Sequence, residues 1–276
     1  MNDCFEVLKY SQDRNPASHF HEEYEILISL TNDGKFFVRE HGYPLRFGTM
    51  FVLPPFEIHR CFCKGAQNYE RYTIHFPAEL LRQMSTPSVN MEKVFGSVLH
   101  ICQVPDELLM NMILTLSGLL KEKTGEFGEE IERKIQLEKA LLLAARLIES
   151  QDEVVHPCIE SDGRVGEVLQ YIHANYANDI TLEKMANDLF ISKSRLSQIF
   201  KDATGFSIGS YIIVYRIKRA CSLLQSGMSV QESGERVGFH NGTHFIRAFK
   251  RHMGCSPGKF VRKKEEREKT ENKGDL

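Results

Sequence analysis

The sequence predicts a multidomain α+β protein: an N-terminal antiparallel β-barrel followed by a helical hairpin, then an all-α part with two helix-turn-helix units. Three observations predict it. Residues 1 to about 100 are β-branched and aromatic runs cut by turns, and from about 163 onward the apolar spacing is helical. One amphipathic pattern also occurs twice, as SRLSQIFKDATG at 194–205 and THFIRAFKRHMG at 243–254, each ending in glycine.

In the first segment EYEILISL, KFFVRE, GTMFVLP and ERYTIHF read as strands with no intervening helix, and TNDGK at 31–35 carries an Asp-Gly hairpin signal. Such even spacing predicts a small antiparallel barrel or sandwich over 1–100. CFC at 61–63 places Cys61 and Cys63 on one strand face, a pattern that packing alone produces.

The second segment, 101–150, holds two helical patterns, PDELLMNMILTLSGLLKEK (105–123) and EEIERKIQLEKALLLAARLIES (129–150), joined by TGEFG. On the second helix Ile135, Leu142 and Ala145 lie near one stripe and Leu137, Leu141 and Ala144 near the next. That width suits a barrel on one side and a partner subunit on the other, so the hairpin is the expected homodimer contact; packing within one chain is the alternative. QDEVVHPCIESDG, polar and interrupted by Pro157, is the expected linker over 151–163.

In the third segment, 164–268, TLEKMANDLFI aligns with SVQESGERVGF. Thr181 and Ser229 stand at the N-cap positions, and Ala186 and Gly234 stand where two helices must approach closely. The following helix of each copy buries Leu196, Ile199 and Phe200, or Phe245, Ala248 and Phe249, and stops at Gly205 or Gly254. With those faces inward, Lys193, Ser194, Arg195, Ser197 and Gln198 face out, and Lys201 lies towards a nucleic-acid backbone. In the second copy the outward set is Asn241, Gly242, Thr243, His244 and Arg247, with Lys250 and Arg251 suited to phosphates. Gln198 has the groups to pair with adenine, and Arg247 those to pair with guanine. Between the copies IGSYIIVYRIKRACSLLQ (208–225) forms one helix of roughly 27 Å at 1.5 Å per residue, which holds the two readers apart.

Charge agrees with this division. The chain carries −2 overall, yet residues 164–268 hold 17 Lys+Arg against 10 Asp+Glu, leaving 18 against 27 elsewhere. A basic module on an acidic body suits double-stranded DNA, because phosphate neutralisation supplies most non-specific affinity. Neither a secretory leader nor a membrane-length apolar run occurs, which predicts a cytoplasmic protein with no membrane partner. Seven scattered cysteines are expected to be reduced thiols.

The run VGFHNGTHFIRAFKRHMGCSPGKFVR (237–262), preceded by MANDLFISKSRLSQIFKDATG (185–205), resembles the DNA-binding domain of the AraC/XylS transcription regulators over roughly the last 100 residues. The resemblance implies that both recognition helices enter successive major-groove segments and that Ser194, Ser197, Gln198, Thr243 and Arg247 read bases. It also implies a small-molecule effector, by default a sugar, with RNA polymerase among the partners. The family usually has a large aliphatic residue and then alanine where this chain has Ser233 and Gly234. That departure predicts weaker packing there, and a second unit that clamps the backbone more than it reads bases.

HFHEEYE (19–25) and GTMFVLPPFEIH (48–59) resemble the two cupin motifs, with Phe56 replacing an inner glycine. The expected effector residues in this cupin-like barrel are His19, His21, Tyr24, Glu25, Arg39, His59 and Tyr72. Neither cofactor nor metal is expected; if a metal binds, His19, His21, Glu25 and His59 are its expected ligands, and the rival reading is a metal-dependent cupin enzyme fused to a DNA-binding module. No nucleophile triad or phosphate-binding glycine loop is evident, so no catalytic residue is expected.

Overall fold

The computed structural model describes residues 5–11, 20–39, 41–62, 70–150 and 163–271. Its strands are β1 (Glu6–Ser11), β2 (Tyr24–Ser29), β3 (Lys35–Val38), β4 (His41–Pro44), β5 (Thr49–Leu53), β6 (His59–Phe62), β7 (Glu70–Phe76) and β8 (His100–Gln103). They form a five-stranded sheet in the order β1-β7-β2-β5-β8 and a three-stranded sheet in the order β4-β3-β6, with antiparallel pairing throughout. The barrel thus takes the form of two facing sheets, closed around Leu27, Phe36, Phe51, Leu53 and Cys61.

The unbroken apolar runs of β2 and β5 follow from cover on both faces. Leu27, Phe51 and Leu53 face the small sheet, while Ile26, Ile28, Met50 and Val52 face a second core shared with helices. Those helices are α1 (Ala78–Met84), α2 (Met91–Phe95), α3 (Asp106–Leu119) and α4 (Glu129–Ser150). The first two were not expected in the strand segment; they plug the core with Leu80, Leu81, Met91 and Phe95. β8 carries the sheet three residues past the expected boundary at 100.

The expected TNDGK hairpin is corrected. Both sides of β2 are occupied by β5 and β7, so β3 has no place beside it, and the turn instead carries the chain to the other sheet. The tight hairpin is the next one, where Val38 pairs with His41 and Arg39 adopts φ 57°. On α4 the stripe of Leu137, Leu141 and Ala144 is buried, with Ala140 beside it; the other stripe is split, Ala145 being buried while Ile135 and Leu142 remain exposed, as do Ile131 and, on α3, Met110 and Leu114. Cys63 and most of the expected linker, 151–162, lie outside the described residues.

The C-terminal part is α5 (Gly163–Asn175), α6 (Leu182–Asp188), α7 (Lys193–Thr204), α8 (Ile208–Gln225), α9 (Val230–Arg236), α10 (Gly242–Met253) and α11 (Pro257–Glu271). The duplicated signals all act as read. Thr181 caps α6 by accepting from the Lys184 N–H at 3.1 Å, and Ser229 forms a full capping box with Glu232 on α9. α7 and α10 both end at glycines in the left-handed region, Gly205 at φ 73° and Gly254 at φ 69°. Leu196, Ile199, Phe200, Phe245, Ala248 and Phe249 are buried.

The two halves share a core. Phe20, Phe37 and Ile58 join the apolar cluster of the helical part; Phe37 packs 5.8 Å from Phe206 and 6.4 Å from Tyr211, ring centre to ring centre, and Phe56 lies 6.3 Å from Phe260. Phe37 can do this because its neighbours Phe36 and Val38 point the other way, into the barrel.

Candidate nucleic-acid interface and effector site

On α7 the capping Ser192 accepts from the Arg195 N–H, which fixes the start of the helix, and the buried stripe then fixes its rotation. Lys193, Ser194, Arg195, Gln198 and Lys201 are exposed and Ser197 is half-buried. Lys193 lies 3.5 Å from Glu183 on the helix before it. On α10 Thr243, His244, Arg247, Lys250 and Arg251 are exposed. Asn241 is exposed too, but its side-chain Oδ1 accepts from the His244 N–H at 3.0 Å, so it positions the helix by capping it. His244 rests edge-on against Phe239 at 5.4 Å.

One feature of α10 went unread in the sequence. Ile246 is 45% exposed amid Thr243, Arg247 and Lys250, which line a shallow depression with it. An apolar side chain on such a face is suited to a thymine methyl group. The weak packing expected at Gly234, on α9, is corrected, because a β-carbon there would stand 2.8 Å from Phe245 Cδ1; the neighbouring Ser233 hydroxyl is buried without a hydrogen-bond partner among the described residues. The Phe245 ring fills the space that an alanine methyl would take.

At the barrel mouth the structure brings together His21, Glu25 and His59, as the motifs suggested, and adds His75. One carboxylate oxygen of Glu25, Oε2, lies 2.8 Å from His21 Nε2 and 2.9 Å from His59 Nε2. His75 is paired with Glu25 across the β2/β7 ladder, and its ring lies 4.6 Å from that of His21. Burial opposes ionisation of Glu25, but the adjacent His59 and His21 outweigh it and hold the carboxyl well below its usual range. Burial likewise pulls His21 down, and Glu25 and Glu23 together leave it raised; His75 is lowered, chiefly by burial. His19 lies outside the described residues.

Tyr24 and Tyr72 do not reach this site, a correction with a simple cause. Successive strand residues point to opposite faces, so Tyr24 cannot share the face of Glu25. Its ring stacks on Phe76 at 5.6 Å and its hydroxyl donates to the Gly96 carbonyl, while the Tyr72 hydroxyl bonds Ser117 on α3 at 2.8 Å.

Arg39 also lies elsewhere, at a cleft between the two halves. Its Nε donates to Glu57 at 3.1 Å, and the other Glu57 oxygen accepts from Lys218 Nζ on α8 at 3.2 Å. The cleft measures about 660 Å³ and is lined by Arg39, His41 and Glu57 from the barrel and by His173, Tyr215 and Lys218 from the helices, among others. His173 stacks on Tyr215 at 4.3 Å. Nothing local in the sequence joins Glu57 to a lysine 161 residues away.

Comparison with known proteins agrees with both halves. Residues 6–144 match the model of the AraC-like ligand binding domain, and residues 185–263 match a helix-turn-helix domain. The Msm operon regulatory protein of Streptococcus mutans is 26% identical over 254 residues, covering 87% of this chain and 84% of its own. The arabinose operon regulatory protein of Escherichia coli is 29% identical over 242 residues, covering 85% and 79%. Among solved structures, ToxT from Vibrio cholerae is 11% identical with a TM-score of 0.40, covering 94% of this chain and 98% of its own. No helix among the described residues is long and apolar enough to cross a membrane. With a ligand-binding fold ahead of two capped helix-turn-helix units, and a family model spanning half its length, the chain belongs to the AraC family, whose members are DNA-binding transcription regulators with an effector-binding domain.

Proposed function

We propose that the protein reads an operator with α7 and α10 and that its effector binds in the cleft between barrel and helices. Ser194, Ser197, Gln198, Thr243, Ile246 and Arg247 meet base edges, while Lys193, Arg195, Lys201, Lys250 and Arg251 neutralise phosphates. The observation that carries the effector assignment is the Arg39–Glu57–Lys218 bridge, in which one carboxylate serves two cations at the rim of the cleft. His41 and His173 add to this surplus of basic groups, and the Tyr215 ring offers a flat wall. An anionic small molecule, such as an acidic or phosphorylated sugar, competes with Glu57 for Lys218 and so favours a different placement of barrel on reader. Only such differential affinity shifts the equilibrium between two arrangements.

The exposed stripe of Ile131, Ile135 and Leu142, with Met110 and Leu114 on the neighbouring helix, supports dimerisation through α3 and α4. The test uses the purified protein. Sequencing of retained genomic fragments is expected to return one enriched motif, bound with an affinity that falls steeply with salt. Acidic and phosphorylated sugars are expected to raise its melting temperature more than neutral sugars do, and Lys218→Ala is expected to abolish that difference. Equal shifts from neutral sugars, or a full shift in Lys218→Ala, would place the effector elsewhere.

A further inference from the structure

Two helix-turn-helix units in one chain read neighbouring groove segments together only when their separation and relative twist are fixed. Each base pair along the duplex moves a contact by about 3.4 Å and about a tenth of a turn, so a loose connection would accept several spacings. The connecting helix α8 holds the first unit near its own start, where Tyr211 packs 5.6 Å from Phe200 of α7, and leads into α9 of the second unit at its end. A further joint, near the middle of α8, ties the two units to each other.

That joint is built on Arg216, which is half-buried. Its Nε donates to the Tyr176 carbonyl at 2.7 Å and its Nη2 to the Asn178 carbonyl at 2.8 Å, both in the segment that leads to Thr181, the N-cap of α6. The same guanidinium lies 5.8 Å from the centre of the Phe239 ring, in the turn between α9 and α10. Gly238 lets this turn approach: at φ 90°, a β-carbon there would stand 2.7 Å from the Ala177 carbonyl oxygen and 3.0 Å from Arg216 Cζ. At the rim, His240 Nε2 lies 2.8 Å from Asp179 Oδ1, an exposed pair that adds little by itself. The left-handed turn alone does not demand glycine. The aligned residue of the first unit, Phe190, makes such a turn at φ 53° with its side chain 93% exposed.

We propose that Arg216 and Gly238 form a spacing joint that fixes the separation and phase of α7 and α10, so that the protein selects operators by the number of base pairs between the two contacted segments. The inference rests on the reading by α7 and α10 proposed above. Arg216 is a positioning residue, since its hydrogen bonds go to carbonyls of its own chain. Its effect reaches α10 through the turn, where Phe239 packs 5.3 Å from Phe245 and 5.4 Å from His244 at the start of that helix. Lysine cannot replace it, because a single ammonium lacks the planar fork that serves two carbonyls at once while its face lies on an aromatic ring.

The experiment uses full-length protein and operators built from its enriched motif, with one base pair added or removed between the two segments that footprinting maps. The parent is expected to prefer one length over its neighbours by at least about fivefold, the scale of a single mismatched base pair. Arg216→Lys and, independently, Gly238→Ala, both checked for fold by circular dichroism, are expected to bring that ratio towards equality while base preferences inside each segment stay those of the parent. Folded variants that keep the parent's length profile, or that lose affinity equally at every length, would overturn the proposal and leave Arg216 a role in folding alone. A parent that binds its motif equally at all lengths would overturn it without any variant. A parent that enriches no motif would instead refute the reading by α7 and α10, and the spacing joint with it, so the two failures are told apart.

Discussion

Arg247 extends from the exposed face of α10, three residues past His244 and one past Ile246, on a helix whose rotation is set by buried Phe245, Ala248 and Phe249. Arg247→Ala and Gln198→Ala are each expected to cost about 1–3 kcal/mol at particular base pairs, read as lost discrimination in a competition assay with single-base operator variants. A uniform loss across all variants would assign these residues to the phosphates instead. Gly234 supplies a second test. Alanine gains up to about 1 kcal/mol in helix propensity over glycine, but the new methyl would meet Phe245, whose ring is held between Phe239 at 5.3 Å and Phe249 at 5.7 Å. Overpacking costs about 1–3 kcal/mol, so Gly234→Ala is expected to lower stability in urea denaturation despite the better helix former.

At the scale of elements, the helical half was legible because its signals are local. Caps at Thr181, Ser192 and Ser229, stops at Gly205 and Gly254, and the i, i+3, i+4 stripe each act within a turn or two, so α4, α8 and both reader helices fall where periodicity places them. Thr181→Ala removes a cap of that kind and is expected to cost about 1 kcal/mol, measured as a lower unfolding midpoint of the helical half. The strand half was legible only in part. ERYTIHF coincides with β7, but a strand's partners are set by distant chain, so TNDGK looked like a hairpin turn although β2 already had both neighbours. For the same reason His75, an ordinary strand residue in sequence, joins Glu25 only through the β2/β7 register.

At the scale of the molecule, the sequence divided the chain into sensor, hairpin and reader but gave no sign that sensor and reader share an apolar core or a cleft. Contacts such as Phe37 with Phe206 are pairs of unremarkable core residues until the fold brings them together. The outer helices lead to a further expectation. Leu142→Glu, at a residue already 40% exposed, should leave the folded chain intact while shifting a dimer towards monomer in analytical ultracentrifugation; an unchanged sedimentation coefficient would assign α4 to packing within one chain.

Phe206, Tyr211 and Phe260 are sheltered in part by Phe37 and Phe56. Cutting the helical half free of the barrel therefore wets an aromatic surface that the intact chain keeps dry. Such a fragment should be prone to self-association on storage, and trading Phe206 for a polar residue to restore its solubility would harm the intact protein.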